Sequence, residues 1–140
     1  MIQVSLKQYL FGYTDLTDEI AEKIYPFGSV PTGTEYPYMT WQIIDNLHVH
    51  NQGGASGLAN PRLQTDIWSL TEYEAALIMD ILRKALDMFR GSMGDLPDQT
   101  EVRLIAIDSD NEQYTPPGDM TQQGAYRATA DFLIWFEEGV

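Results

Sequence analysis

The chain has 140 residues, and 21 acidic against 8 basic side chains give it a formal net charge of −13. A surface this acidic repels phosphate backbones and anionic lipid headgroups, which argues against ordinary nucleic-acid binding and against docking on membranes. The absence of cysteine excludes disulfides, thiolate catalysis and cysteine-ligated metals. The length fits one ordinary domain, residues 1–140.

The beginning of the chain predicts two helical segments. Ile2, Leu6 and Leu10 recur at helical spacing, and a second apolar stripe runs through residues 14–24. Prolines and glycines then predict a loop over residues 26–37. No basic stretch precedes a long apolar run, and no segment reaches about 20 apolar residues. We therefore expect neither a secretion signal nor a membrane span, and expect synthesis in the cytoplasm.

Two strands are predicted next. Tyr38–Val49 is rich in β-branched and aromatic residues, and Arg62–Leu70 alternates between two sets of side chains. Between them, three glycines and a proline predict a long flexible loop near residues 46–61. Trp68, on the second strand, is expected in the core.

The strongest predicted helix runs from about Glu72 to Arg90. It opens with a capping box, in which Thr71 accepts from the third residue and Glu74 reaches back. Its broad apolar face includes Leu77, for which truncation to alanine is expected to cost about 2–5 kcal/mol.

Two further strands complete the pattern. Glu101–Ile107 and Ala125–Phe136 flank a polar segment that predicts a long flexible loop near residues 108–124. The order is helix, strand, strand, helix, strand, strand. It predicts an α+β fold: an antiparallel sheet of about four strands, with a long central helix and an N-terminal helical segment packed on it.

Sites for chemistry are scarce. His48 and His50 would share one side of a strand, but a zinc site requires further ligands and Asp45 points to the opposite side. A solvated hairpin arm is the favoured reading of these residues. The acidic segment from Asp108 to Glu112 lacks the glycine and glutamate of a calcium loop. No phosphate-binding or nucleophile motif occurs, so we expect no catalytic residue, no cofactor and no metal, and a protein that is not an enzyme.

The last strand carries large apolar residues on both sides. Phe132, Ile134 and Phe136 alternate with Leu133 and Trp135. Because only one side can meet the central helix, the other must meet another layer or another subunit. Coverage by the N-terminal helix is an equally weighted alternative.

Several phrases resemble phage tail completion or tail terminator proteins, which belong to the head-to-tail joining region of long non-contractile tails. The phrases are Lys23–Pro26, Tyr36–Trp41, Ser56–Trp68, Thr71–Ala76 and Ala125–Phe136. The resemblance covers most of the chain, and none of its motifs is catalytic.

This resemblance implies a structural assembly protein in the virion. Such subunits form a ring, typically a hexamer, that caps the tail tube and meets the head-side connector protein. The two predicted loops would reach neighbouring subunits, the tube protein or the connector, and DNA would pass through the lumen without stable binding. The interface residues predicted on these grounds are Asn51, Gly53, Gly54, Gly57, Tyr114, Pro116, Leu133 and Trp135.

The charge supports two different functions. In a ring, an acidic lumen would repel the phosphates of passing DNA. The alternative is an acidic DNA mimic that inhibits a host nuclease or DNA-binding protein. A mimic should present one continuous acidic face, whereas a ring former should keep a mixed interface.

Overall fold

The computed structural model describes residues 2–51, 54–115 and 125–137. Three helices, α1 (Ile2–Phe11), α2 (Thr14–Ile20) and α3 (Glu72–Leu86), accompany six strands. The strands are β1 (Ile24–Pro26), β2 (Tyr38–Asn51), β3 (Gly54–Ser69), β4 (Gly91–Met93), β5 (Thr100–Thr115) and β6 (Tyr126–Glu137). None of these helices combines the length and apolar character needed to cross a bilayer.

The strands form one curled sheet in the order β1-β2-β3-β6-β5-β4. β1 is parallel to β2, and every other neighbouring pair is antiparallel. The expectation of an antiparallel sheet of about four strands with a long central helix is therefore wrong: the sheet is mixed and six-stranded, and the helices are short. The two edge strands have only three residues each. They were missed because such short segments show no periodicity.

One face of the sheet, here called the inner face, carries the apolar core. Leu63 and Ile67 of β3 and Phe132 of β6 are fully buried in one cluster with Ile78 and Leu82 of α3. The alternation predicted for β3 and β6 places these residues on the same side of the sheet. The packing of α3 against these strand residues, and not helix propensity alone, stabilises the helix.

Two core predictions are wrong. Leu77 is 39% exposed, because it lies on the side of α3 that points away from the sheet. Trp68 is only half-buried and lies opposite Tyr38, on the face of the sheet away from the core. The apolar face of α3 is narrower than its sequence suggests, and Tyr73, four residues before Leu77, is 78% exposed.

The ends of α3 also differ from the expectation. Thr71 Oγ1 accepts from Glu74 N at 3.1 Å, as predicted, but the Glu74 carboxylate accepts from Ser69 Oγ. Ser69 Oγ in turn accepts from Thr71 N at 3.3 Å, so it relays the return bond of the capping box. The helix stops at Leu86, before the predicted end near residue 90.

Residues 87–89 leave the helix to pair with β5, which explains the early stop. Met88 N donates to Ile105 O at 2.7 Å, and Ile105 N donates to Phe89 O at 3.1 Å. Ile107 N donates to Asp87 Oδ1 at 3.0 Å. Backbone groups engaged with a strand cannot continue a helix.

Most of the first predicted loop and the first half of the second are strand. β2 extends to Asn51 and β3 begins at Gly54, so residues 46–51 and 54–61 form the arms of a hairpin. β5 extends to Thr115 and so includes residues 108–115 of the polar segment predicted as loop. Pairing of Gln113–Thr115 with β6 overrides the poor strand propensity of this segment. The remainder of that loop, residues 116–124, lies outside the described residues.

Candidate assembly surface

The face of the sheet opposite the helices, here called the outer face, is the candidate surface for assembly. Along each strand, its residues alternate with those of the inner face. From the register, its members are Tyr38, Thr40, Gln42, Arg62, Gln64, Asp66, Trp68, Leu104, Ala106, Asp108, Arg127, Thr129, Asp131, Leu133 and Trp135. Most of them are half-buried, whereas most inner-face residues of the same strands are buried.

A buried carboxylate anchors the centre of the outer face. Asp66 is 1% exposed and accepts from Arg127 through both oxygens, Nε to Oδ1 at 2.8 Å and Nη2 to Oδ2 at 3.1 Å. Thr129 Oγ1 also donates to Asp66 Oδ1 at 2.6 Å. The carboxylate is thus fully compensated by a bidentate guanidinium and a hydroxyl across the β3–β6 pair.

A second ion-paired group lies next to it. Asp108 of β5 and Asp131 of β6 are direct cross-strand partners, an arrangement that is repulsive by itself. Arg62 of β3 bridges them, with Nη1 at 2.7 Å from Asp108 Oδ2 and 3.3 Å from Asp131 Oδ2. Burial raises the pKa of the Asp131 carboxyl above its ordinary value, although the bond from Arg62 opposes the shift.

At one end of the outer face the surface is aromatic. The Tyr36 and Tyr38 rings stack with centroids 5.3 Å apart, and the Tyr38 and Trp68 rings stack at 6.3 Å. The Arg127 guanidinium lies 5.0 Å from the centre of the Trp68 ring, and Trp68 Nε1 donates to Thr40 Oγ1 at 3.0 Å. A groove of about 480 Å³ runs over these side chains. Burial and the neighbouring Tyr36 raise the pKa of Tyr38.

At the other end the outer face is apolar. Leu104 of β5 pairs with Trp135, and Ala106 pairs with Leu133. All four residues are half-buried, so neither the helices nor another described element covers them completely. Beside this patch, Arg103 forms an ion pair with Glu137. The two-sided apolar pattern of the last strand is therefore present in the structure.

The predicted interface residues do not form one cluster. Leu133 and Trp135 lie together at the apolar end of the outer face. Asn51 and Gly54 are paired at the tip of the β2–β3 hairpin, Gly57 lies in β3, and Tyr114 lies in β5 opposite Ala128. Gly53 and Pro116 lie outside the described residues.

The sequence reasoning missed the ion-paired centre of this face. Asp66 and Arg127 each lie within a strand whose other parity is apolar, at positions that a simple alternation assigns to solvent. The sequence did contain one indication of this ion pair: an acidic residue on one of these strands and a basic residue on the other. Only the register shows that they meet. The side chains of His48 and His50 lie outside the described residues, and the described side chains contain no group of three metal-ligand residues.

The described chain is thus a curled mixed sheet with helices on one face and an ion-paired, partly apolar outer face. No protein-family model matches the sequence, and no curated protein matches it. Among solved structures, the chain is similar to one from the virion of a native gene transfer agent particle. The TM-score is 0.76 at 14% sequence identity, over 97% of this chain and 94% of that chain. At this identity the likeness establishes a shared fold.

Proposed function

We propose that the protein is a structural subunit of a phage or phage-like virion, and that it forms a ring at the head-proximal end of the tail. The observation that carries the proposal is the shared fold: nearly the whole chain superposes on nearly the whole of a chain from a virion particle. This likeness agrees with the sequence resemblance to tail terminator and tail completion proteins. In this role the ring, a hexamer, would cap the tail tube and contact the head-side connector.

The charges of the outer face favour this role over a DNA mimic. Among the outer-face residues named above, the acids Asp66, Asp108 and Asp131 are paired with Arg62 and Arg127. A decoy for a DNA-binding protein requires unpaired carboxylates in a continuous array. A face of paired charges with an apolar end, by contrast, has the mixed character of a protein–protein interface.

Within this proposal, the apolar end of the outer face contacts a neighbouring ring of the tail. Leu133 and Trp135 offer the half-exposed apolar area that an interface core needs. The acidic surface elsewhere would include the channel wall, where it would repel the phosphates of passing DNA.

The experiment is the mass of the purified protein in solution over a wide concentration range, with electron microscopy of any oligomer. We expect a ring whose mass is a whole multiple of the subunit mass. A parallel test deletes the gene for this protein from the genome of the phage or phage-like element that encodes it. Heads and tails should then remain unjoined. A strict monomer at every concentration, or normal joined particles without the protein, would contradict the proposal.

A double substitution tests the apolar end directly. Leu133→Ser with Trp135→Ser should preserve folding and abolish joining, because both side chains are half-buried on the face away from the core. The matched control is Tyr73→Ser, which removes an aromatic side chain that is 78% exposed on α3. Equal loss of joining in the control would argue against this surface.

A further inference from the structure

A groove between α1 and the β1 edge of the sheet lies apart from the candidate assembly surface. Residues of α1, the end of β1 and β2 line this α1 groove, among them Val4, Lys7, Phe11, Pro26 and Trp41. Its volume is about 460 Å³, within the range of about 300–1,000 Å³ that is typical of ligand-binding clefts. The groove is therefore large enough to receive an apolar side chain.

The walls of the α1 groove are mainly apolar. Phe11 and Trp41 are half-buried and pack against the hydrophobic core, and Pro26 pairs with Trp41 in the sheet. The Gln8 amide at the rim is already engaged, because its Oε1 accepts from Asp95 N at 2.8 Å. A concave apolar surface that remains open to solvent is a feature of binding sites.

Lys7 brings a positive charge to the rim of this groove. Its Nζ lies 5.4 Å from the centre of the Phe11 ring. The other residues that line the groove are uncharged, and α1 contains no acidic residue although the chain has 21. Among the described residues, no ion pair with a carboxylate involves Lys7. The surroundings of the groove are therefore locally positive in a protein that is acidic elsewhere.

Lys7 differs in this respect from most basic side chains of the protein. Ion pairs with carboxylates of the same chain hold Arg62, Arg83, Lys84, Arg103 and Arg127. A cation without such a partner, beside an open apolar groove, is complementary to a ligand in which a carboxylate lies next to an apolar group.

The shape of the groove favours a segment of protein over a free small molecule. The groove is shallow and open to solvent, whereas clefts for small molecules bury most of the surface of the ligand. A side chain that belongs to a docked segment needs less enclosure, because the rest of the segment supplies further contacts. A second copy of this chain is disfavoured, because both copies carry a net charge of −13.

We propose that the α1 groove binds an acidic segment of another virion protein. The segment inserts a large apolar side chain beside Phe11 and Trp41 and places a carboxylate on Lys7 Nζ. The inference rests on the proposed function, and it adds a contact surface that is separate from the outer face.

Zero-length cross-linking in the joined particle tests this contact. A carbodiimide couples an amine to a carboxylate with loss of water, and only where the two groups touch. We expect mass spectrometry to find Lys7 coupled to an aspartate or glutamate of a different protein. Lys84 is the internal positive control, since its Nζ lies 3.3 Å from Asp80 Oδ2. Lys7 coupled to a copy of this chain, or left uncoupled while the Lys84–Asp80 link forms, would overturn the proposal.

Charge reversal then measures what Lys7 contributes. Lys7→Glu repels the carboxylate of the segment, and we expect the yield of joined particles to fall at least about tenfold. Lys84→Glu makes the same change of charge on α3 and should leave the yield unchanged, with the folding of both variants verified by circular dichroism. Equal yields from the two variants would overturn the α1 groove contact and leave the ring function standing. Joined particles that form without the protein would overturn both.

Discussion

The inner and outer faces of the sheet hold the same strands by different means. On the inner face, side chains such as Phe132 are fully buried among apolar neighbours. On the outer face, Asp66 is almost as deeply buried, but its carboxylate accepts hydrogen bonds from the Arg127 guanidinium and the Thr129 hydroxyl. Apolar packing is non-directional, whereas a buried charge is stable only if each of its specific partners is in place. The outer face can therefore remain partly open for contacts and still fix the register of the strands.

The largest effect is expected from a comparison of adjacent residues of β6. Phe132→Ala should lower the free energy of unfolding by about 3–5 kcal/mol, because it leaves a cavity in the core. Leu133→Ala, one residue along and half-buried on the outer face, should cost about 1 kcal/mol. Chemical denaturation of both variants measures the difference. Similar costs would mean that the two faces are equally buried in the isolated protein.

Removal of one partner should expose the dependence of the outer face on paired charges. Asp66→Ala leaves Arg127 without its bidentate acceptor and should cost about 3 kcal/mol. In the double variant Asp66→Leu/Arg127→Met, no charge is left unpaired, so much of this loss should be recovered. Both are measured by denaturant unfolding. A double variant as unstable as Asp66→Ala would assign the loss to something other than the unpaired arginine.

The smallest effect concerns the pH dependence of the Asp108–Arg62–Asp131 group. The raised pKa of Asp131 means that its ionised form is disfavoured in the folded state, so it costs stability at neutral pH. This cost disappears as the pH falls through the raised pKa. Asp131→Asn removes it at every pH. The stability of the variant relative to the wild type should therefore be highest near pH 7 and decline toward pH 4, by about 1 kcal/mol or less.

Unfolding free energies at several pH values between 7 and 4 provide the measurement. Asp108→Asn is the control on the other carboxylate that Arg62 contacts. A relative stability of Asp131→Asn that rises toward acidic pH would mean that the bond from Arg62 outweighs burial and lowers the pKa of Asp131.

Periodicity predicted the elements with strong patterns and failed where pairing decides the structure. The alternation in β6 and the Thr71 cap of α3 were both visible in the sequence, because they depend on neighbouring residues. The extension of β5 through a run of acidic and amide residues was not, since Gln113–Thr115 are held as strand by their partners in β6. Leu77 shows the limit for the core: its spacing fits an apolar face, but only the position of the sheet decides how wide that face is.

The candidate surface was predictable in part. The apolar pair Leu133 and Trp135 follows from the alternation of a single strand. The contacts of Asp66 with Arg127, and of Arg62 with Asp108 and Asp131, join residues about 45 to 70 positions apart, so they require a register that no local pattern contains.

The position of β6 has a consequence for synthesis of the chain. Although β6 follows all the other elements in sequence, it lies between β3 and β5 in the sheet. Until it leaves the ribosome, β3 and β5 have no common partner, and the core lacks Phe132. The complete six-stranded sheet therefore forms only after β6 has been translated. Before β6 has been translated, a nascent chain therefore lacks both the central strand of the sheet and the β6 side chains of the outer face.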